Sequence, residues 1–233
     1  MVGLKERSVV AILPAAGSGQ RFGDQKNKLF SLLKGEPLWV HSARRLAMRA
    51  ELGRLILAVS EHDLADFEAQ ASRIHFPLSV EFVIGGAERM DSVQCALDLI
   101  QDEGPQSWVA VHDAARPLVS DEDLARVFSA AQQTGAAILA TPVSGTLKRE
   151  LGGDLGSETV DRHGIWMALT PQVFSVGLLK QAYAKHNGCP ATDDAQLVER
   201  LGRVVQLVQG SAENLKITYP EDLSIAEAIL NRK

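Results

Sequence analysis

Cysteine is nearly absent from this sequence, with Cys95 and Cys189 the only two. Two thiols build neither a disulfide framework nor a four-ligand zinc site, so a reduced cytoplasm is the expected setting. A basic surplus is also missing. Lys and Arg number 24 against 29 Asp and Glu, a formal net charge of −5. Nucleic-acid binding through bulk charge is therefore not expected, while local basic clusters for small phosphates remain open. No apolar run approaches the length of a membrane span, and no membrane partner is expected. Lys5 and Arg7 do precede an apolar run, but Val9–Leu13 is too short for the core of a secretory signal, and Pro14 and Arg21 follow at once. It reads instead as a buried first strand. Internal repeats, low-complexity tracts and linkers are absent too. The 233 residues, 45% of them apolar, are therefore read as one domain, 1–233, able to bury a substantial core.

What is present is an alternation. Short continuous runs of Val, Ile, Leu and Ala at Val9–Leu13, Arg54–Val59, Ser79–Ile84, Trp108–His112 and Ala137–Thr141 suit strands covered on both faces. Amphipathic stretches lie between them. Pro37 suits the first turn of a helix over Leu38–Met48. Ser60-Glu61-His62-Asp63 and Ser120-Asp121-Glu122-Asp123 resemble capping boxes. A strand at Val204–Val208 and a helix from Pro220 close the chain. The pattern predicts an α/β fold of three layers, Rossmann-like, with a mainly parallel sheet and helices on both faces. It fails from Val143 to about Gln172, where five glycines mix with Lys148, Arg149, Asp154 and Arg162. Such a stretch is either a functional or interaction arm or a solvated surface hairpin.

The first strand runs into Pro14-Ala15-Ala16-Gly17-Ser18-Gly19-Gln20-Arg21-Phe22-Gly23. A dinucleotide fingerprint needs a glycine three residues after its second, and Phe22 stands there. The Gly-Lys-Ser/Thr of a Walker loop is absent as well. The remaining readings are an ordinary tight turn or a run of small residues whose backbone N–H groups approach an anion. Arg21, Lys26 and Lys28 just downstream favour the second. An enzyme acting on a triphosphate must neutralise charge on the transferred phosphorus and on the leaving pyrophosphate. Ligands of open parallel sheets sit at the carboxyl ends of strands. There the third strand gives Gly85-Gly86-Ala87-Glu88-Arg89-Met90-Asp91-Ser92, and the fourth gives His112-Asp113-Ala114-Ala115-Arg116-Pro117. Asp113 is placed to hold Mg²⁺ beside phosphates, or to cap a turn. His112 reads as a packed structural histidine rather than a base.

These blocks resemble a known family. Pro14-Ala15-Ala16-Gly17-x-Gly19-x-Arg21 with Lys28, Gly85-Gly86-x-Glu88-Arg89-x-Asp91-Ser92-Val93 and Val111–Pro117 are similar to segments of the 2-C-methyl-D-erythritol 4-phosphate cytidylyltransferases. So are Thr159-Val160-Asp161-Arg162-x-Gly164-x-Trp166-x-Ala168-Leu169-Thr170-Pro171-Gln172, Thr192-Asp193-Asp194-Ala195 and Asn214-x-Lys216-x-Thr218-x-Pro220-Glu221-Asp222-Leu223. They run in the family's order over nearly the whole chain. The resemblance implies a nucleotidyltransferase fold with a protruding β-arm at about 143–172, and transfer of CMP from CTP to the phosphate of 2-C-methyl-D-erythritol 4-phosphate, with release of pyrophosphate, in non-mevalonate isoprenoid synthesis. It implies a Mg²⁺-dependent homodimer in which each arm completes the partner's site. Pro14, Ala15, Ala16, Gly17, Gly19, Gly86 and Ser92 would line the nucleotide. Arg21 and Lys28 would stabilise the pentavalent α-phosphorus, with Lys216 bridging the CTP phosphates and the incoming phosphate. Asp113 would stand near Mg²⁺ and the acceptor. Arg116, Thr146, Arg162, Thr170 and Thr192 would serve the acceptor, with Arg162 positioning it.

The sequence departs from the family pattern at three points. Asn27-Lys28-Leu29 replaces Pro-Lys-Gln, Ala87 replaces a frequent Asp, and Gly145-Thr146 replaces Asp-Thr in the arm. The last keeps open a cytidylyltransferase for another polyol phosphate, such as ribitol 5-phosphate. Further alternatives are a sugar-1-phosphate nucleotidyltransferase, which would lack the Thr159–Gln172 block, and a catalytically silent nucleotide-binding scaffold, which would not need Arg21, Lys28, Asp113, Arg162 and Lys216 together.

Overall fold

Alternate residues of the first strand, β1 (Val9–Pro14), feed two different cores: Val9, Ala11 and Leu13 pack to one side and Ile12 to the other. This is why the strand reads as a continuous apolar run instead of an alternating one. A computed structural model describes residues 7–17, 27–101, 107–152, 156–186 and 188–232. The strands that follow are β2 (Leu32–Leu33), β3 (Glu36–Pro37), β4 (Leu52–Val59), β5 (Val80–Ile84), β6 (Trp108–Val111), β7 (Ala136–Pro142), β8 (Leu147–Glu150), β9 (Ser157–Val160), β10 (Trp166–Ser175) and β11 (Gln206–Gln209). The helices are α1 (Leu38–Ala47), α2 (Leu64–Ala71), α3 (Arg89–Asp98), α4 (Asp121–Thr134), α5 (Val176–Ala184), α6 (Asp194–Arg200) and α7 (Glu221–Leu230).

Seven strands form the main sheet in the order β11-β7-β10-β6-β1-β4-β5. β10 alone runs antiparallel to its neighbours. One core lies between the sheet and α1, α2, α4 and α7, with Trp39, Leu46, Phe67, Leu124 and Phe128 fully or almost fully buried. The other lies against α3, α5 and α6 around Val93, Leu97, Phe174, Leu179 and Val198. The chain thus has the three-layer α/β architecture, mainly parallel, that the alternation predicts. Among the described residues no helix is long and apolar enough to cross a membrane.

Several boundaries differ from the sequence expectation for identifiable reasons. The last strand is Gln206–Gln209, not Val204–Val208, because Gln206 pairs with Ala137 and β7 starts only one residue earlier. Val204 has no ladder partner there and is 83% exposed. Within the aperiodic stretch, β8 and β9 form an antiparallel hairpin, and β10 begins at Trp166. β10 escapes pattern reading because its first three residues are exposed and the next six buried, with a register shift between Ala168 and Gln172. The two capping signals are also reassigned. Ser120 caps α4, its Oγ accepting from Asp123 N–H at 3.1 Å, but the Asp123 carboxylate turns to Ser211 N–H and Arg126 instead of back to Ser120. Ser60 closes the turn ahead of α2, its Oγ accepting from Asp63 N–H.

Candidate active site

The parallel strands bring the ends of β1, β5 and β6 to one edge of the sheet, where ligands of such folds bind. A cavity of about 490 Å³ opens there. Pro14, Ala15, Ala16 and Gly17 form one wall, and Gly86, Ala87, Glu88, Arg89 and Ser92 form another. Lys28, Leu29, Asp113, Ala114, Ala115 and Lys216 complete it.

The two glycines after β5 are required by close approach. A Cβ on Gly85 would stand 2.6 Å from Ser92 Oγ and 2.9 Å from Ala16 Cβ, and one on Gly86 would stand 2.3 Å from Asp91 Cβ. Any side chain there would separate the loop after β1 from the start of α3. The turn into α3 is fixed by Glu88 N–H donating to Asp91 Oδ2 at 3.1 Å.

Asp113 follows β6 and is the electrostatic centre of the site. Its Oδ2 lies 3.1 Å from Lys216 Nζ and 3.2 Å from Arg116 Nε, and its Oδ1 lies 3.3 Å from Arg89 Nε. Burial by itself would push its carboxyl up, but Lys216, Arg89 and Arg116 outweigh burial and hold it well below the usual carboxylate range. Arg89 continues the network, donating to the fully buried Asp194 at 2.8 Å, and Tyr183 Oη donates to the other oxygen of Asp194 at 2.6 Å. Burial, with the Asp194 charge next, pushes the Tyr183 phenol up, so it stays a donor. Lys216 is drawn to Asp113 by its neighbour, since Ile217 N–H donates to Ala115 O at 2.9 Å. Lys28, on the 3-10 turn Lys28–Phe30, donates from Nζ to Ile217 O at 2.8 Å. Two lysines from opposite ends of the chain therefore line one cavity.

Behind the wall, Asp113 N–H donates to Thr170 Oγ1 at 3.0 Å, and Thr170 Oγ1 meets His112 Nδ1 at 3.1 Å. His112 Nε2 meets Arg116 O at 3.0 Å. With the ring neutral, as its burial favours, one tautomer satisfies all three contacts. The threonine hydroxyl donates to Nδ1, and Nε2–H donates to the carbonyl, leaving imidazole neutral. Burial is the main cause that lowers its pKa, to about 4.

The structure thus gathers Pro14, Ala15, Ala16, Gly17, Lys28, Gly86, Ser92, Asp113 and Lys216 around one cavity. Arg116 and Thr170 stand outside its lining, as supports of Asp113. Thr146 and Arg162 are exposed and line no part of it; Arg162 Nη1 donates to Ser144 O within the arm. Thr192 lines a separate hollow of about 290 Å³ with Gly164, Trp166 and Leu207. Gly19, Arg21 and Lys26 lie outside the described residues. Arg89 and Asp194 are absent from the sequence-based site residues, although both lie in the blocks that carry the resemblance. Nothing local marks two charged residues 105 positions apart as partners.

The described lining carries three cationic side chains, Lys28, Arg89 and Lys216, against two anionic ones, Glu88 and Asp113, a balance that suits a polyphosphate. Among the described residues, no group of three His, Cys, Asp or Glu side chains could hold a metal ion unaided.

A family model described as IspD, 2-C-methyl-D-erythritol 4-phosphate cytidylyltransferase, matches residues 9–232. The protein of that name from Rhodopirellula baltica is 55% identical, over 96% of this chain and 95% of its own. Its counterpart from Bacillus cytotoxicus is 43% identical, over 94% and 96%. The crystal structure of the Thermus thermophilus enzyme of that name superposes with a TM-score of 0.74 at 36% identity, over 97% of this chain and all of that one. The 4-diphosphocytidyl-2C-methyl-D-erythritol synthase of Anaerococcus prevotii superposes with a TM-score of 0.80 at 28% identity, over 97% of each chain. The chain belongs to the 2-C-methyl-D-erythritol 4-phosphate cytidylyltransferase family.

Proposed function

We propose that the protein transfers CMP from CTP to the phosphate of 2-C-methyl-D-erythritol 4-phosphate, giving 4-diphosphocytidyl-2-C-methyl-D-erythritol and pyrophosphate. The observation that carries the reading is the meeting of Lys28 and Lys216 at the cavity that Asp113 organises. An oxygen of the acceptor phosphate attacks the α-phosphorus of CTP, and the bond from that phosphorus to the bridging oxygen of the leaving pyrophosphate breaks. A phosphate oxygen is already nucleophilic, so no general base is needed, and the neutral, fully buried His112 fits that role assignment. The difficulty is bringing two anions together. Lys28, Lys216 and Arg21 would supply the positive charge between them, acting where charge builds in the transition state. The Pro14–Gly17 wall with Gly86 and Ser92 would hold the nucleoside.

Magnesium is part of the reading. Mg²⁺ is commonly held by one or two carboxylates together with substrate phosphates and water. Asp113 and Glu88, both in the cavity lining, are the carboxylates that would join the triphosphate in holding such an ion. Such an ion would neutralise phosphate charge.

A homodimer belongs to the same reading. Ile165, Trp166 and Met167 are 37, 36 and 56% exposed, an apolar stretch that suits a partner surface. Arg162 and Thr146, away from the cavity of their own chain, would serve the partner's acceptor. The two free thiols, Cys95 and Cys189, suit a reducing cytoplasm.

The test is pyrophosphate release with each of four nucleoside triphosphates crossed with methylerythritol phosphate, ribitol 5-phosphate and a sugar 1-phosphate. Turnover confined to CTP with methylerythritol phosphate is expected. Absence of turnover with that pair overturns the reading, and preference for ribitol phosphate moves the acceptor.

A further inference from the structure

Asn27 is 7% exposed, and each polar atom of its side chain has a partner. Its Oδ1 accepts from Leu29 N–H at 3.0 Å, capping the turn that carries Lys28. Its Nδ2 donates to Asp63 Oδ2 at 2.9 Å and, more weakly, to Ala15 O at 3.4 Å. The orientation of the amide is forced, because Asp63 and Ala15 present only acceptors and Leu29 only a donor. Asp63 is itself held, with Ser60 Oγ donating to its Oδ2 at 2.8 Å and accepting from its N–H at 3.1 Å. Ser60 directly follows β4, and Ala15 directly follows β1. Asn27 therefore ties the Lys28 turn to the ends of two adjacent strands. On the far side of Lys28 the turn is anchored by apolar contacts: Leu29 is 4% exposed, and the rings of Phe30 and Phe67 have centroids 4.7 Å apart.

We propose that Asn27 is a positioning residue for Lys28: through Asp63 and Ser60 it fixes the lysine turn against the ends of β1 and β4, so that the ammonium stands ready at the cavity before substrate arrives. A proline in this place would stiffen the chain by covalent restraint. Asn27 does so by hydrogen bonds to a partner carboxylate 36 residues away. The proposal rests on the reading of Lys28 as a group that acts on the transition state. A lysine with four rotatable bonds contributes there only as far as its backbone is already in place.

The test is kinetic, on the full-length protein, reading kcat, KM for CTP and thermal midpoint for Asn27→Asp, Asp63→Asn and the two combined, each with and without Lys28→Ala. Asn27→Asp keeps the acceptor for Leu29 and sets a second carboxylate against Asp63. It is expected to lower kcat about tenfold or more with KM for CTP within about threefold, as for loss of a transition-state contact. Combining it with Asp63→Asn reverses donor and acceptor and is expected to recover most of that loss. With Lys28→Ala present, Asn27→Asp is expected to cost less than about twofold, because coupled residues are not additive. Ser60→Ala, which leaves Asn27 intact, is expected to lower kcat about threefold with the same dependence on Lys28. Unchanged kcat in Asn27→Asp, or equal losses with and without Lys28, overturns the clamp. An unchanged kcat in Lys28→Ala overturns the role of Lys28 itself, and the clamp with it.

Discussion

Lys216 Nζ stands 3.1 Å from Asp113 Oδ2, across a separation of more than a hundred residues in sequence. The same oxygen receives Arg116 Nε at 3.2 Å, so one carboxylate orients two cations, and its other oxygen orients a third, Arg89. This makes Asp113 more than an acidic group in a cationic pocket. It sets where the lysine charge points, and the lysine keeps the carboxylate ionised.

Asp113→Asn separates these roles. Removing the negative charge leaves three cations facing one another, which is expected to lower stability by roughly 3 kcal/mol, as when one partner of a buried pair is lost. The cavity becomes more positive, so binding of CTP in the absence of Mg²⁺ is not expected to weaken. The Lys216 ammonium loses its orienting partner, so kcat is expected to drop at least about tenfold. Thermal denaturation and titration with CTP alongside steady-state kinetics check all three. A large rise in the Kd for metal-free CTP would contradict this account.

The support behind Arg89 can be loosened without touching the cavity. Tyr183→Phe deletes only the hydroxyl that donates to Asp194 at 2.6 Å. The fold is expected to lose about 1.5–3 kcal/mol, the cost of one buried hydrogen bond to a charged group. Asp194→Ala removes the charge that holds Arg89 from behind and is expected to cost more, roughly 3–5 kcal/mol. Denaturant midpoints of the two variants give the comparison, and an equal or reversed order would contradict the network.

Gly86→Ala tests the close packing after β5. The new methyl would lie 2.3 Å from Asp91 Cβ, so the loop must shift into the cavity or away from α3. Overpacking of this kind costs about 1–3 kcal/mol. If the shift is felt by bound nucleotide, KM for CTP should rise about tenfold while the acceptor KM changes little. Titration of both substrates measures it, and a larger effect on the acceptor would misplace this wall.

The buried histidine predicts a pH dependence of stability. His112 titrates near 6.5 when exposed and at about 4 in the fold, chiefly because of burial. Between these values the unfolded chain holds the proton and the folded chain does not, so acid favours unfolding. The contribution is complete above about pH 6.5 and is lost as pH falls towards 4, on the order of 3 kcal/mol in all. His112→Gln does not titrate. Its stability is expected to fall less steeply across this range, as read from denaturant midpoints at stepped pH. Parallel slopes would show that the proton is taken up elsewhere.

Much of the frame was readable along the chain because burial on both faces leaves a strand no freedom in residue type. Val9–Leu13 and Arg54–Val59 carry that imprint, and β1 and β4 lie there. β10 carries no such imprint, being half arm and half core. The two capping serines were legible as polar residues before helices. The destination of the Asp123 carboxylate was not, because Ser211 lies 88 residues on. At the site, the small-residue loop, the Gly-Gly pair and the two lysines each left a local trace. Asn27 left one only as a departure from a familiar pattern.

Periodicity along the chain was enough to set the layers, the order of the elements and the chemical types brought to the carboxyl edge of the sheet. Hydrophobic spacing and backbone geometry act between neighbours, so they leave their record in short windows of residues. Pairing arose only in the folded chain: Lys216 with Asp113, Arg89 with Asp194, Asn27 with Asp63. A charge or an amide carries no mark of its partner in its own sequence window. Its energy depends on distance and burial, and both exist only once the sheet has brought remote loops together.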